Sequence, residues 1–203
     1  MGTASSQARG SSMTIALIVC GMLLVILGGL WLLPPMLYGA PWVPTRLERA
    51  RRALRLASLR PGECLYDLGA GDGRVLFLAA REFGARAIGV EISPLHCLLA
   101  RVRARSEGLE DRVTIRWGNY LRAEIGAADV VFLYLTAASL KRLRPYLLQR
   151  LRPGTRVVTI SADFEGWQPV AWDREELIFL YRMPPAHGGW QALLSEENET
   201  GFG

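Results

Sequence analysis

One short stretch limits the possible folds of this chain more than any other. The segment Cys64–Asp67 reads as a buried strand, the segment Gly73–Phe83 reads as a helix, and the loop between them is Asp67-Leu68-Gly69-Ala70-Gly71-Asp72-Gly73. Glycines in such a loop let backbone N–H groups approach a polar ligand, and the following helix adds partial positive charge at its N-terminus. The stretch therefore predicts the strand–loop–helix unit of a nucleotide-binding α/β domain.

The chain from Thr45 onward alternates helical and extended segments. We predict helices at Thr45–Leu59, Gly73–Phe83, Pro94–Glu107 and Ser139–Leu151, and strands at Cys64–Asp67, Ala87–Glu91, Val113–Trp117, Val130–Leu135 and Thr155–Ile160. This alternation predicts a parallel sheet covered by helices on both faces. Near the end, Glu176–Arg182 and Trp190–Leu194 flank the turn-rich Met183–Gly189, which predicts a hairpin.

Spacing and charge discriminate between nucleotide cofactors. A dinucleotide fingerprint reads Gly-x-Gly-x-x-Gly, whereas this loop has Gly73 one position early and Arg74 in place of the third glycine. Asp67 and Asp72 would repel a pyrophosphate, but S-adenosylmethionine (SAM) has no phosphate and carries a cationic amine and a sulfonium. Glu91 ends the second strand, where a carboxylate can hold ribose hydroxyls. These features favour SAM over NAD.

Three motifs, Asp67–Gly73, Gly89-Val90-Glu91 and Gly118-Asn119-Tyr120, together resemble the class I, seven-strand SAM-dependent methyltransferases. The stretches Tyr66–Arg74 and Val90–Pro94 resemble a small, often membrane-anchored branch that includes the FAM173-type protein lysine methyltransferases and their prokaryotic relatives. The resemblance implies an α/β, Rossmann-like, doubly wound sheet of seven strands in the order 3-2-1-4-5-7-6, with the last strand antiparallel.

The resemblance also implies which residues bind SAM. They are Asp67, Gly69, Ala70, Gly71, Glu91, Ile92 and Asn119. Asp67 would face the methionine amino group, Glu91 would take the ribose hydroxyls, and Ile92 would flank the adenine. Asn119 would accept a hydrogen bond from the adenine amino group through its carbonyl, at a position where many relatives have aspartate.

Tyr134 and Tyr120 are the residues we predict to line the acceptor pocket, where a hydroxyl or an aromatic face could orient an amine. Each could instead be a half-buried core tyrosine. Asp163 and Glu165 follow the fifth strand and could attract a cationic acceptor, or could be solvated loop acids. Methyl transfer from a sulfonium is an in-line displacement, so positioning can supply much of the rate without a strong base.

Residues 13–33 form an uncharged apolar run, MTIALIVCGMLLVILGGLWLL. About 20 such residues cross a bilayer, and a secretory hydrophobic region is shorter, so we predict a retained transmembrane helix before the domain. Five arginines lie at 46–55, after the run, and only Arg9 precedes it. This asymmetry predicts a single-pass protein with its catalytic domain in the cytoplasm, at the inner or plasma membrane if the source is bacterial.

The chain therefore divides into a disordered N-terminus at 1–12, a transmembrane helix at 13–33, a Pro-rich connector at 34–44 and a methyltransferase domain at 45–203. The net charge of +5 comes almost wholly from arginine, because Lys141 is the only lysine. The arginines after the apolar run favour contact between a basic helix face and membrane lipid, and we expect no nucleic acid. Cys20, Cys64 and Cys97 have no partner at metal-ligand spacing, so we expect no metal.

The leading functional hypothesis is SAM-dependent methyl transfer at the membrane to an amine, such as a protein lysine. Two alternatives stay open on the residues alone. One keeps SAM but uses a lipid or a small hydrophobic acceptor. The other is a membrane protein that binds SAM without catalysis.

Overall fold

The computed structural model describes residues 13–29 and 43–188. The helices are α1 (residues 13–29), α2 (Leu47–Leu56), α3 (Arg74–Glu82), α4 (Pro94–Ser106) and α5 (Ala137–Arg150). The strands are β1 (Cys64–Leu68), β2 (Arg86–Glu91), β3 (Val113–Trp117), β4 (Val130–Leu133), β5 (Arg156–Ile160), β6 (Trp167–Gln168), β7 (Ala171–Asp173), β8 (Ile178–Arg182) and β9 (Ala186–His187). A single 3-10 turn, Tyr120–Arg122, follows β3.

Seven strands form one mixed sheet in the order β3-β2-β1-β4-β5-β8-β7. Strands β1 to β5 run parallel, whereas β8 is antiparallel to both β5 and β7. When only these seven strands are counted along the chain, the order is 3-2-1-4-5-7-6, which confirms the predicted Rossmann-like sheet. Strands β6 and β9 pair separately. Because the residues of β1 and β4 are buried throughout, both faces of the sheet carry a core.

The C-terminal hairpin is formed by different segments from those predicted. Ile178–Arg182 pairs directly with β5, and its other neighbour is Ala171–Asp173, which the sequence pattern did not identify as a strand. Three half-buried residues are too few to show a strand periodicity, so only the pairing with β8 defines this strand. The predicted strand Trp190–Leu194 lies outside the described residues.

The predicted membrane segment is described only in part. Helix α1 covers residues 13–29, its large apolar side chains are exposed, and residues 30–33 lie outside the described part of the chain. Over residues 13–29 and 43–188, no helix combines the length and the hydropathy that crossing a membrane requires. The predicted N-terminus at 1–12, positions 34–42 of the connector and positions 189–203 of the domain also lie outside the described residues.

Helix α2 is anchored to the domain through its apolar side. Ala50, Ala53 and Leu54 are fully buried and contact the core that also contains α3 and β5, whereas Leu47 stays half exposed. Alanines at these positions let the helix approach the sheet closely.

The arginines of α2 differ from the prediction of a free basic face. Arg49 pairs with Glu176, Arg51 pairs with Glu48 and Glu82, and Arg52 pairs with Asp173 and Glu175. These carboxylates belong to α2 itself, to α3, to the last residue of β7 and to the turn between β7 and β8. Three of the five arginines at 46–55 therefore form ion pairs, two of them with carboxylates elsewhere in the domain and one with both α2 and α3. Their charge is not free to attract lipid.

Candidate active site

The glycine loop folds back onto the end of β2. The backbone N–H groups of Gly69 and Ala70 donate to the carbonyl of Val90, at 2.9 and 3.1 Å. Gly69 and Gly71 have φ angles of +99° and +54°, a backbone conformation that side chains other than glycine rarely adopt. The loop is thus held at the carboxyl ends of β1 and β2, where open α/β sheets bind their ligands.

Gly89, in the middle of β2, makes room for this loop. A Cβ atom at this position would lie 2.5 Å from Leu76 Cδ1 and 2.7 Å from Ala70 Cβ. The second glycine motif therefore has a packing role beneath the loop, in addition to leading into Glu91.

Glu91 connects the loop to the start of α4. Its side chain is buried, with Oε2 accepting from the N–H of Gly71 and Oε1 from the N–H of Ser93, both at 2.8 Å. A carboxylate has about four lone-pair sites, so both oxygens can accept further hydrogen bonds. The structure therefore holds an oriented carboxylate beside the glycine loop, in the place where the sequence predicts the ribose to bind.

Asp67 lies at the base of the same loop and is 4% exposed. Burial, together with the neighbouring charges of Glu91 and Asp72, raises the pKa of Asp67 to about 8. Without a bound cation this carboxyl group is mostly neutral at pH 7. A cationic group placed against it would favour the ionised form, which suits an aspartate predicted to face the amino group of SAM.

Asp72 has a different role from the one its charge suggested. Its side chain forms an ion pair with Arg74 at 2.6 Å. Although burial opposes the shift, the hydrogen bonds and charge of Arg74 lower the pKa of Asp72. The repulsion of a pyrophosphate that we expected from Asp72 is therefore largely offset by Arg74.

One small cavity of about 30 Å³ joins the loop to the segment before α2. Its lining includes Asp67, Gly69, Ala70, Tyr134 and residues 43–45. The structure thus brings Tyr134 to the predicted cofactor residues. Tyr120 does not line this cavity, and its ring packs in the core on the opposite face of the sheet. The two tyrosines are therefore not brought together.

Arg49 is a residue of this region that the sequence reasoning did not identify. Its guanidinium carbon lies 5.8 Å from the centre of the Tyr134 ring, and its Nη2 donates to Ser161 Oγ at 3.0 Å. Ser161 directly follows β5 and Tyr134 follows β4, so Arg49 reaches across the ligand edge of the sheet. Only its position in a basic helix was visible in the sequence.

The predicted adenine side of the site contains Ile92, Asn119 and a further aromatic residue. Asn119 Oδ1 accepts from the N–H of Leu121 at 2.9 Å and caps the 3-10 turn, which leaves one lone pair for a ligand. Trp117 pairs in register with Glu91 and donates its indole N–H to the carbonyl of Ile92 at 2.9 Å. The sequence signal for Trp117 was an aromatic residue at the end of the third strand.

The two acids after β5 lie elsewhere. Asp163 and Glu165 line a separate cavity of about 260 Å³ together with Lys141 and Arg144. The basic side chains offset the acidic ones there, so the lining gives no excess negative charge for a cationic acceptor. Within the described residues, no group of His, Cys, Asp and Glu side chains could hold a metal ion.

Known proteins with similar sequences and structures are methyltransferases. Residues 67–171 match the ANTKMT methyltransferase domain family. The chain is 37% identical over 130 residues to a protein-lysine N-methyltransferase of Saccharolobus islandicus, covering 64% of this chain and 81% of the relative. It is 33% identical over 138 residues to the mouse adenine nucleotide translocase lysine N-methyltransferase, covering 68% of this chain but only 59% of the relative.

Among solved structures, the chain is similar to an RNA methyltransferase from Salinibacter ruber in complex with S-adenosyl-L-homocysteine. The two share 40% sequence identity with a TM-score of 0.68, over 70% of this chain and 94% of that one.

Proposed function

The chain belongs to the ANTKMT methyltransferase domain family, and from this membership we propose that it methylates the side-chain amine of a lysine in a protein. It is a class I SAM-dependent methyltransferase of the FAM173 type, and SAM is its cofactor. The observation that supports SAM binding most directly is the buried pair of Asp67 and Glu91 at the glycine loop. The names of the archaeal and mouse relatives support lysine as the acceptor.

The residues around the loop suit the charge of SAM. When bound, SAM supplies a methyl group on a positively charged sulfonium. Asp67 would lie against its amino group, and Glu91, already oriented by two backbone N–H groups, would accept from the ribose hydroxyls. Ile92 and Asn119 would contact the adenine, with Trp117 holding the backbone of Ile92 in place.

The acceptor side must receive the lysine as a neutral amine, oriented by Tyr134. A lysine must lose its proton before its nitrogen can act as a nucleophile. The Arg49 guanidinium lies beside the Tyr134 ring and its charge is paired with Glu176, so Arg49 would hold Tyr134 in position without adding free positive charge. Tyr134 would then orient the neutral amine, while Tyr120, on the other face of the sheet, would not take part.

We place this activity at a membrane, with the domain in the cytoplasm. Residues 13–33 are uncharged and apolar, and the described part of this run is helical with exposed apolar side chains. The arginine excess after the run supports the proposed orientation. A methyltransferase attached in this way would meet acceptors in or beside the bilayer.

The test is the fate of a labelled methyl group. The full chain in vesicles is incubated with methyl-labelled SAM and cell membranes, and the products are separated into protein, lipid and RNA. We expect label in protein, recovered as methylated lysine after hydrolysis. At a SAM concentration below the wild-type Kd, Glu91→Gln should reduce the label about tenfold or more, whereas Glu124→Gln, a change at a largely exposed side chain, should keep it. Label found only in lipid or RNA would refute the proposed acceptor.

A further inference from the structure

Helix α4 is apolar on two opposite sides. Its inner side buries His96, Cys97, Ala100 and Ala104 against the sheet. Its outer side leaves Leu98, Leu99 and Val102 exposed at 56%, 47% and 55%. An amphipathic helix normally exposes polar residues on the side away from its core, so the apolar outer side of α4 is the kind of surface that a partner covers.

Trp117 is a further exposed apolar side chain, on the strand next to this helix. It is the last residue of β3, the edge strand on which α4 packs, and 66% of it is exposed. Its indole N–H is already bound to Ile92, just before α4. Leu98, Leu99, Val102 and Trp117, which we call the α4 surface, are four of the nine large apolar side chains exposed over residues 43–188. Such clustering marks an interaction site.

The charges beside the α4 surface are positive. Arg101 and Arg105 are exposed and lie one turn from Leu98 and Val102 on the same side of the helix. Arg101 donates to the carbonyl of Ile115, and across residues 43–188 neither arginine forms an ion pair with a carboxylate. Their charge is therefore available to a partner, unlike that of Arg49, Arg51 and Arg52 on α2.

We propose that the α4 surface docks onto an anionic lipid bilayer. Leucine and valine side chains between arginines, with a tryptophan at the border, are the residues that helices lying in a membrane interface use. A second copy of the chain fits less well, because pairing two such surfaces would bring the arginines together. Docking here would also turn the end of β2, with Glu91 and Ile92, toward the lipid surface. The α4 surface complements the membrane attachment proposed above but is a separate element of the chain.

Lipid photolabelling tests this surface directly. The full chain is reconstituted in vesicles of phosphatidylcholine, with or without phosphatidylglycerol, containing a trace of a diazirine phospholipid. After illumination and trypsin digestion, we expect label on the peptide that ends at Arg101 and contains Leu98 and Leu99. Anionic lipid should increase this label, and Arg105→Gln should reduce that increase about fivefold, since one basic residue near an anionic surface contributes about that factor.

Substitutions distinguish docking through the α4 surface from non-specific contact between the protein and lipid. The double variant Leu98→Gln/Val102→Gln should lose most of the α4 label while its melting temperature stays unchanged, because both side chains are exposed. Leu148→Gln is the matched control, since Leu148 is 47% exposed on α5 and should leave the α4 label intact.

Three results would overturn docking of the α4 surface on an anionic bilayer: no α4 label, α4 label unchanged in the double variant, or α4 label that anionic lipid does not increase. Label missing from α1 alone would instead count against the proposed anchor. Methyl transfer to protein, measured on the same vesicles, reports separately on the proposed acceptor.

Discussion

Replacing Asp67 by asparagine should stabilise the cofactor-free protein while weakening its affinity for SAM. Asp67 is buried beside Glu91, and its pKa is raised from 3.8 to about 8. In the native state the carboxyl group keeps its proton at pH 7, whereas in the unfolded chain it is ionised. Asparagine has a similar shape and no proton to lose, so the variant avoids this difference between the two states.

The size of the effect follows from the pKa values. When the pKa of a carboxyl group is raised in the native state, the folded protein loses stability as the pH rises from the unfolded-state pKa to the native-state pKa. For Asp67 this window runs from 3.8 to about 8. Each pH unit in this window is worth about 1.4 kcal/mol. Burial of Asp67 therefore lowers the free energy of unfolding of the wild type by about 2 kcal/mol at pH 5 and by about 4 kcal/mol at pH 7. Burying asparagine also lowers the free energy of unfolding, but by an amount that does not vary with pH.

The assay is urea unfolding of the full chain in detergent micelles without SAM, at pH 5 and pH 7. We expect the stability of Asp67→Asn relative to wild type to increase by about 2–3 kcal/mol between the two pH values. Asp111→Asn, a change at an exposed side chain, should show no such increase. If the free energies of unfolding of Asp67→Asn and wild type differ by the same amount at both pH values, Asp67 is not buried in the neutral form.

Calorimetry should show how the ionisation of Asp67 affects SAM binding. Binding the cationic amine of SAM should ionise Asp67, so below pH 8 the wild type should release up to one proton on binding. Its SAM affinity should therefore rise from pH 6 to pH 7.5. Asp67→Asn should bind SAM at least about tenfold more weakly, since a hydrogen bond to a charged group is worth about 1.5–3 kcal/mol, and should release no proton from this site.

Three further substitutions, one of them with a matched control, test the site and its support. Glu91→Gln should weaken SAM binding by about tenfold or more in calorimetry, because it removes the charge that the ribose hydroxyls would bind; unchanged affinity would exclude Glu91 from the cofactor site. Gly89→Ala should lower the free energy of unfolding by about 1–3 kcal/mol in urea titrations, since its Cβ would overlap Ala70 and Leu76. Gly118→Ala, where a Cβ would meet no atom within 4 Å, should change it by less than about 0.5 kcal/mol. Arg49→Met should lower kcat by about tenfold with little change in SAM affinity, because Arg49 contacts Tyr134 and not the glycine loop; an equal loss of SAM affinity would contradict this division.

The cofactor half of the site could be predicted because its signals are local. Asp67, the glycines and Glu91 lie within one strand–loop–helix–strand unit, and the chemistry of each residue fits its position in that unit. The parallel strands were equally readable, since strands buried on both faces appear as continuous apolar runs. These segments were predicted with ends that differ from the structure by at most three residues.

Partners that are distant in the sequence could not be predicted in this way. Arg49 meets Glu176 across 127 positions, and no local pattern shows that its charge binds the domain and lies beside Tyr134. Strand β7 exists only because β8 pairs with it. Likewise, Tyr120 and Tyr134 were equally good candidates for the acceptor pocket from the sequence. Only the folded sheet shows that they pack against opposite faces.

The sequence by itself determined the cofactor class and the alternation of helices with the five parallel strands, because both depend on the spacing of neighbouring residues. The tertiary structure decided which charges are paired, which tyrosine meets the glycine loop and which side of α4 stays exposed. These outcomes depend on contacts between separate segments, and their energies arise only once the sheet has brought those segments together.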